Sequence, residues 1–128
     1  MALKIMIVDD NKEFCESISD VLEMQGHTAV SSLDGEKAIA LVKDDPPDVV
    51  LLDMVMPGLD GLETLRRIKV LAPGLPVIMI SGFSSEENHG AAVQEGLCAF
   101  LRKPIDFDEL FTLIEAGVKP ARLADRKP

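Results

Sequence analysis

Residues 5–11 read IMIVDDN: four apolar side chains followed at once by two adjacent carboxylates. A short, nearly continuous apolar run is the pattern of a strand covered on both faces, as in a parallel sheet. Two like charges at its end repel each other, and a carboxylate at a core edge is costly to desolvate. Something must hold Asp9 and Asp10 where the strand leaves the core. Further strand-length apolar runs occur at 28–31 (weaker), 49–52, 77–80 and 99–101.

Between these runs lie segments with helical spacing. Phe14, Ile18, Val21 and Leu22 form the first stripe, with Asp10 and Glu13 as a capping pair and Gly26 as its stop. Ala38, Ile39 and Val42 continue the pattern in a second helix, opened by Asp34-Gly35 and closed before Pro46-Pro47. Leu62, Leu65, Ile68 and Lys69 follow Gly61 in a third, which ends before Pro73-Gly74. Phe107, Leu110, Leu113, Ile114 and Val118 make a fifth. The fourth, 84–95, contains Gly90 and only Ala91, Ala92 and Val93 as apolar residues, so it is expected to be the most mobile helix. Five strands alternating with five helices predict an α/β fold, a doubly wound parallel sheet with helices on both faces. Residues 1–118 form the domain; 119–128 (KPARLADRKP) read as a polar tail or the start of a linker.

The 128 residues, 47% of them hydrophobic, suit one domain with its own core rather than a disordered chain. No apolar run approaches the ~18 residues that cross a bilayer. The start, MALKIMIVDD, lacks the form of a signal peptide, so a cytoplasmic protein is expected. Cys15 and Cys98 have no CxxC spacing and read as reduced, core-facing thiols. His27 and His89 stand alone and read as surface residues. The net charge of −9 argues against nucleic-acid binding by this domain and suits a cation or a basic partner surface.

In parallel α/β sheets, sites form at the carboxyl ends of strands. Here those ends carry Asp9-Asp10, Asp53, Ser81-Gly82 and Lys103-Pro104. Three carboxylates disfavour one another's ionisation, and a hard divalent cation relieves that. Mg²⁺ prefers oxygen ligands and takes one or two carboxylates together with phosphate oxygens. Lys103 supplies a point charge for a phosphoryl group, Ser81 a hydroxyl donor, and an aspartate can itself become an acyl phosphate. The set reads as acceptance of a phosphoryl group by Asp53, with Mg²⁺ neutralising charge.

With these residues in place, the sequence resembles the receiver domain of two-component response regulators from about Lys4 to Val118. The acidic pair in IVDDN, LLDMVMPGLDGLE, IMISG and FLRKP occur in that family's order and spacing. The resemblance implies the flavodoxin-like strand order 2-1-3-4-5. It implies that Asp53 is the phosphoacceptor, served by a phosphohistidine on a sensor kinase or phosphotransfer protein. Asp10, Asp53 and the backbone carbonyl of Val55 would bind Mg²⁺, with Asp9 acting mainly through a metal-bound water. Lys103 would pair with Asp53 at rest and with the phosphoryl group afterwards. Ser81 and Phe100 would be the switch pair, and the Lys103–Pro104 bond would be cis. Pro57 and Gly61 match the loop after the acceptor, where Gly61 suits a positive φ or close packing. Val55 and Phe83 occupy the places that tune phosphate loss. Both are apolar and cannot orient a water, so a long-lived phosphoaspartate is expected. The output would be a shift in the face of helix four, strand five and helix five, read by an output domain, a partner or a second copy.

Each residue also has a plainer reading. Asp10 alone is a helix cap, Ser81 a cap for the weak helix, and Phe100 an ordinary core aromatic. Two other functions remain open: a Mg²⁺-dependent phosphohydrolase that uses an aspartyl phosphate, and a receiver-like module that signals without phosphate. The first typically has a second Asp two residues past the nucleophile, where this chain has Val55. The second leaves Asp9, Asp10, Asp53, Ser81 and Lys103 without a purpose.

Overall fold

A computed structural model of the chain describes residues 2–54, 60–81 and 86–125, with side chains described for all of these except 81–89 and 118–125. Strands and helices alternate throughout: β1 (Lys4–Val8), α1 (Lys12–Met24), β2 (Thr28–Ser32), α2 (Gly35–Asp44), β3 (Val49–Asp53), α3 (Gly61–Leu71), β4 (Val77–Ser81), α4 (Glu86–Gln94), β5 (Ala99–Arg102) and α5 (Phe107–Asp125). All strand pairings are parallel, in the order β2-β1-β3-β4-β5. The fold class and strand order are as expected. Helix α5 continues through 119–125, a stretch that reads as a polar tail in the sequence.

Strand alternation divides the core into two layers. Ile5, Ile7, Val49, Leu51, Ile78, Ile80 and Leu101 face α1 and α5, meeting Cys15, Ile18, Leu22, Leu110 and Ile114. Met6, Val8, Val50, Leu52, Val77 and Met79 face the other way, onto Ala38, Val42, Leu65, Ile68 and Ala92. β3 is buried along its whole length, as the unbroken apolar run VVLL requires. In α4, Ala92 enters the core while Val93 stays 57% exposed.

Several local readings are corrected. The N-cap of α1 is Asn11, whose side chain accepts the Phe14 N–H at 3.1 Å; Asp10 does not fill that place. Asp34 and Asp60 cap α2 and α3 in the same way. Gly26 and Gly96 end α1 and α4 with φ near +91° and +94°, a conformation that costs glycine little. Cys98 is exposed, because it precedes the edge strand β5, and only Cys15 faces the core. His27 is half-buried, not a surface residue: its Nδ1 accepts the Leu3 N–H at 3.1 Å. The side chain of His89 lies outside the described residues. Among the described residues no helix is long and apolar enough to cross a membrane.

Burial is the largest influence on His27 and lowers its pKa from the ordinary 6.5, with Glu115 opposing. A proton on Nδ1 would also remove the acceptor of the Leu3 bond. The unfolded chain therefore takes up this proton at higher pH than the folded one. Stability from this source is intact above about pH 6.5 and is lost as pH falls toward the lowered folded-state value. His27→Gln, which keeps an acceptor but no titration, should show a smaller drop in urea midpoint between about pH 7.5 and 5.5 than the parent chain.

Candidate functional site

The three acids converge where β1 and β3 end. Asp53 is the last residue of β3 and Asp9 follows β1 directly; both are buried, while Asp10 is exposed. Each offers a carboxylate oxygen, and these oxygens lie within 4.8 Å of one another. An all-oxygen donor set of this size suits a hard divalent cation such as Mg²⁺. The Asp9 N–H is already used, donating to the Ser32 carbonyl at 3.1 Å.

Asp9 is held through both carboxylate oxygens. Its Oδ1 accepts the Asn11 N–H at 2.9 Å and its Oδ2 accepts from Lys103 Nζ at 2.8 Å. The resemblance implied a resting Lys103–Asp53 pair; the ion pair described for Lys103 is with Asp9. Lys103 Nζ also lies 4.3 Å from the centroid of the Phe14 ring, a cation–π contact that reading Phe14 as a core residue did not foresee. The Cys15 thiol donates to the Asp9 carbonyl at 3.4 Å. Burial first, and then the Asp9 charge, push this thiol up to about 11, so it stays protonated and unreactive at neutral pH.

Gly61 sets how closely α3 approaches Asp53. A Cβ at this position would lie 2.5 Å from the Asp53 carbonyl oxygen and 2.6 Å from the Met54 Cα. The Gly61 N–H donates to the Met54 carbonyl at 3.1 Å, and the Met54 N–H donates to Ile80 at 3.1 Å, tying the end of β3 to both α3 and β4. Of the two uses expected for this glycine, close packing is the one found, since its φ is not positive.

Phe100 is half-buried and packs against the layer that holds α2, α3 and α4. The Lys103–Pro104 peptide is cis. Ser81 ends β4, but its side chain lies outside the described residues, as do Val55, Pro57, Gly82, Phe83 and Ser84. The structure therefore brings together Asp9, Asp10, Asp53 and Lys103 of the expected set, and adds Phe14, Asn11 and Cys15 around them.

Residues 5–115 match the family model described as response regulator receiver domain. Over 125 residues the chain is 31% identical to the response regulator MprA of Mycobacterium ulcerans, covering 98% of this chain and 54% of that protein. It is 36% identical to the nitrogen assimilation regulatory protein NtrX of Azorhizobium caulinodans, covering 96% of this chain and 28% of that one. The chain thus spans about half, or less, of the length of these relatives. A CheY-like response regulator receiver domain protein from Methanospirillum hungatei superimposes with a TM-score of 0.92 at 25% identity, covering 97% of this chain and 99% of that one.

The Gly61 contact gives a direct test of how tightly the site is built. Gly61→Ala forces a methyl group onto backbone atoms that cannot rotate away. It should lower stability by about 3 kcal/mol, the upper part of the overpacking range, measured by urea unfolding.

Proposed function

The chain belongs to the response regulator receiver domain family, and from that footing we propose that it is a phosphorylation-controlled receiver in which Asp53 accepts the phosphoryl group. The observation that carries this reading is the buried Asp53 at a strand end, with Asp9 and Asp10 within 4.8 Å and Lys103 bonded into the same cluster. A carboxylate oxygen of Asp53 attacks phosphorus, the bond from phosphorus to the imidazole nitrogen of a sensor kinase or phosphotransfer protein breaks, and an acyl phosphate forms. Such transfer needs little beyond positioning and charge neutralisation.

Asp10, Asp53 and the Val55 carbonyl would hold Mg²⁺, with Asp9 contributing through a water. When bound, the ion supplies positive charge to the transferring group. Lys103 turns from Asp9 to a phosphoryl oxygen, and the Ser81 hydroxyl donates to another. Phe100 then moves inward behind Ser81. The result is a population shift in the face made by α4, β5 and α5, which an output domain, a downstream protein or a second copy reads. Catalysis in this scheme is limited to the chain's own phosphorylation and dephosphorylation, and it takes place in the cytoplasm.

Acetyl phosphate with Mg²⁺, followed by intact mass, tests this. One added phosphoryl group, absent in Asp53→Asn, is expected, and its loss should take much longer than seconds because Val55 and Phe83 cannot orient a water. Steady multi-turnover release would point to a phosphohydrolase, and no addition to a phosphate-independent module. A second measurement concerns the cation. Mg²⁺ should raise the melting temperature, and Asp10→Ala should abolish the rise; a full response in the variant would remove the acids as the cation site.

A further inference from the structure

We propose that Phe14 is a positioning residue for Lys103, its ring holding the ammonium beside the acidic cluster. The proposal rests on the reading of Lys103 as the partner of a phosphoryl group on Asp53. Lys103 Nζ sits 4.3 Å from the ring centroid, inside the ~6 Å reach of a cation–π contact. The same nitrogen donates to Asp9 Oδ2 at 2.8 Å. Ring and carboxylate thus hold one ammonium, and the ring comes from an element, α1, that contributes no acid to the site.

The ring is itself well placed to act as a fixed platform. Phe14 lies in the first turn of α1, and its N–H donates to the capping Asn11 side chain at 3.1 Å. Its side chain packs on the core layer of β1, α1 and α5. The next residue, Cys15, bonds its thiol to the Asp9 carbonyl. The first turn of α1 is therefore locked to the end of β1, and Phe14 with it. A lysine on a long flexible stem has many rotamers to lose, and a preset apolar face narrows them.

The two anchors differ in kind. Asp9 belongs to the set of oxygens that a divalent cation would draw on, so the carboxylate is shared between the cation and Lys103. The ring competes for neither. A lysine held by Asp9 alone would lose its anchor as the carboxylate turned to a cation, whereas one also resting on Phe14 stays within a short swing of Asp53. The plainer alternative is that Phe14 is only core packing, which Leu would preserve.

The test uses Phe14→Leu and Phe14→Tyr in the full chain. In the metal-free protein, the ε-methylene protons of Lys103 should carry an upfield ring-current shift by NMR, lost in F14L and kept in F14Y. With acetyl phosphate and Mg²⁺, F14L should be phosphorylated about two- to five-fold more slowly, and F14Y should recover the parent rate. Absence of the ring-current shift in the parent chain, or an F14L rate equal to or above the parent's, overturns the proposal. If F14L does not fold, Phe14→Met takes its place. If the parent chain accepts no phosphoryl group, the reading of Asp53 fails, and the NMR comparison still decides whether Phe14 holds Lys103.

Discussion

Taking the Asp9 carboxylate out of water costs several kcal/mol unless hydrogen bonds and an opposite charge compensate. Both kinds of compensation are present, and they come from different distances along the chain. Asn11 is two residues away, and Lys103 is 94 residues away. The first is available as soon as α1 is capped. The second exists only when β5 has joined the sheet, with β3 and β4 between it and β1. Burial of one carboxylate therefore ties the local turn after β1 to completion of the whole sheet.

The two-residue period of strands explains why the right groups meet. Ile5 and Ile7 point to the α1–α5 layer, and continuing the alternation puts Asp9 there as well, where it meets Cys15 and Lys103. Leu51 points the same way, and so by parity does Asp53. Leu101 does too, two residues before Lys103. Phe100 is out of phase with Leu101 and packs in the opposite layer with α4. Parity thus separates the charged cluster from the aromatic on β5, although they sit only a few residues apart in sequence.

How much of this was legible depended on how local the cause was. The alternation of strands and helices and the gathering of acids at strand ends followed from apolar runs and their polar ends, a repeating pattern that is strong; the order of the strands followed only from the family resemblance. The cap of α1 was read one residue early because Asp10 and Asn11 are both good caps, and only backbone geometry picks between them. Cys98 and His27 were misplaced because their burial depends on which edge strand or helix end covers them, which no spacing records. Phe14 falls on the apolar stripe of α1, so its second role, under an ammonium from the far end of the chain, leaves no mark in the sequence. The Lys103–Asp9 ion pair was equally hidden, because Asp9 and Asp53 are both acids at neighbouring strand ends and no spacing shows which oxygens the ammonium reaches.

The hydrogen bond from Gly61 to Met54 has a consequence for the segment between them. It joins the chain just before residue 55 to the chain just after residue 60, so the ends of that segment are fixed by the fold itself. The entropy of closing it is spent once, on folding, and grows only as the logarithm of its length. A side chain at position 61 would therefore disturb two things at once, the closure between the end of β3 and the start of α3 and the backbone of Asp53 against which the glycine packs.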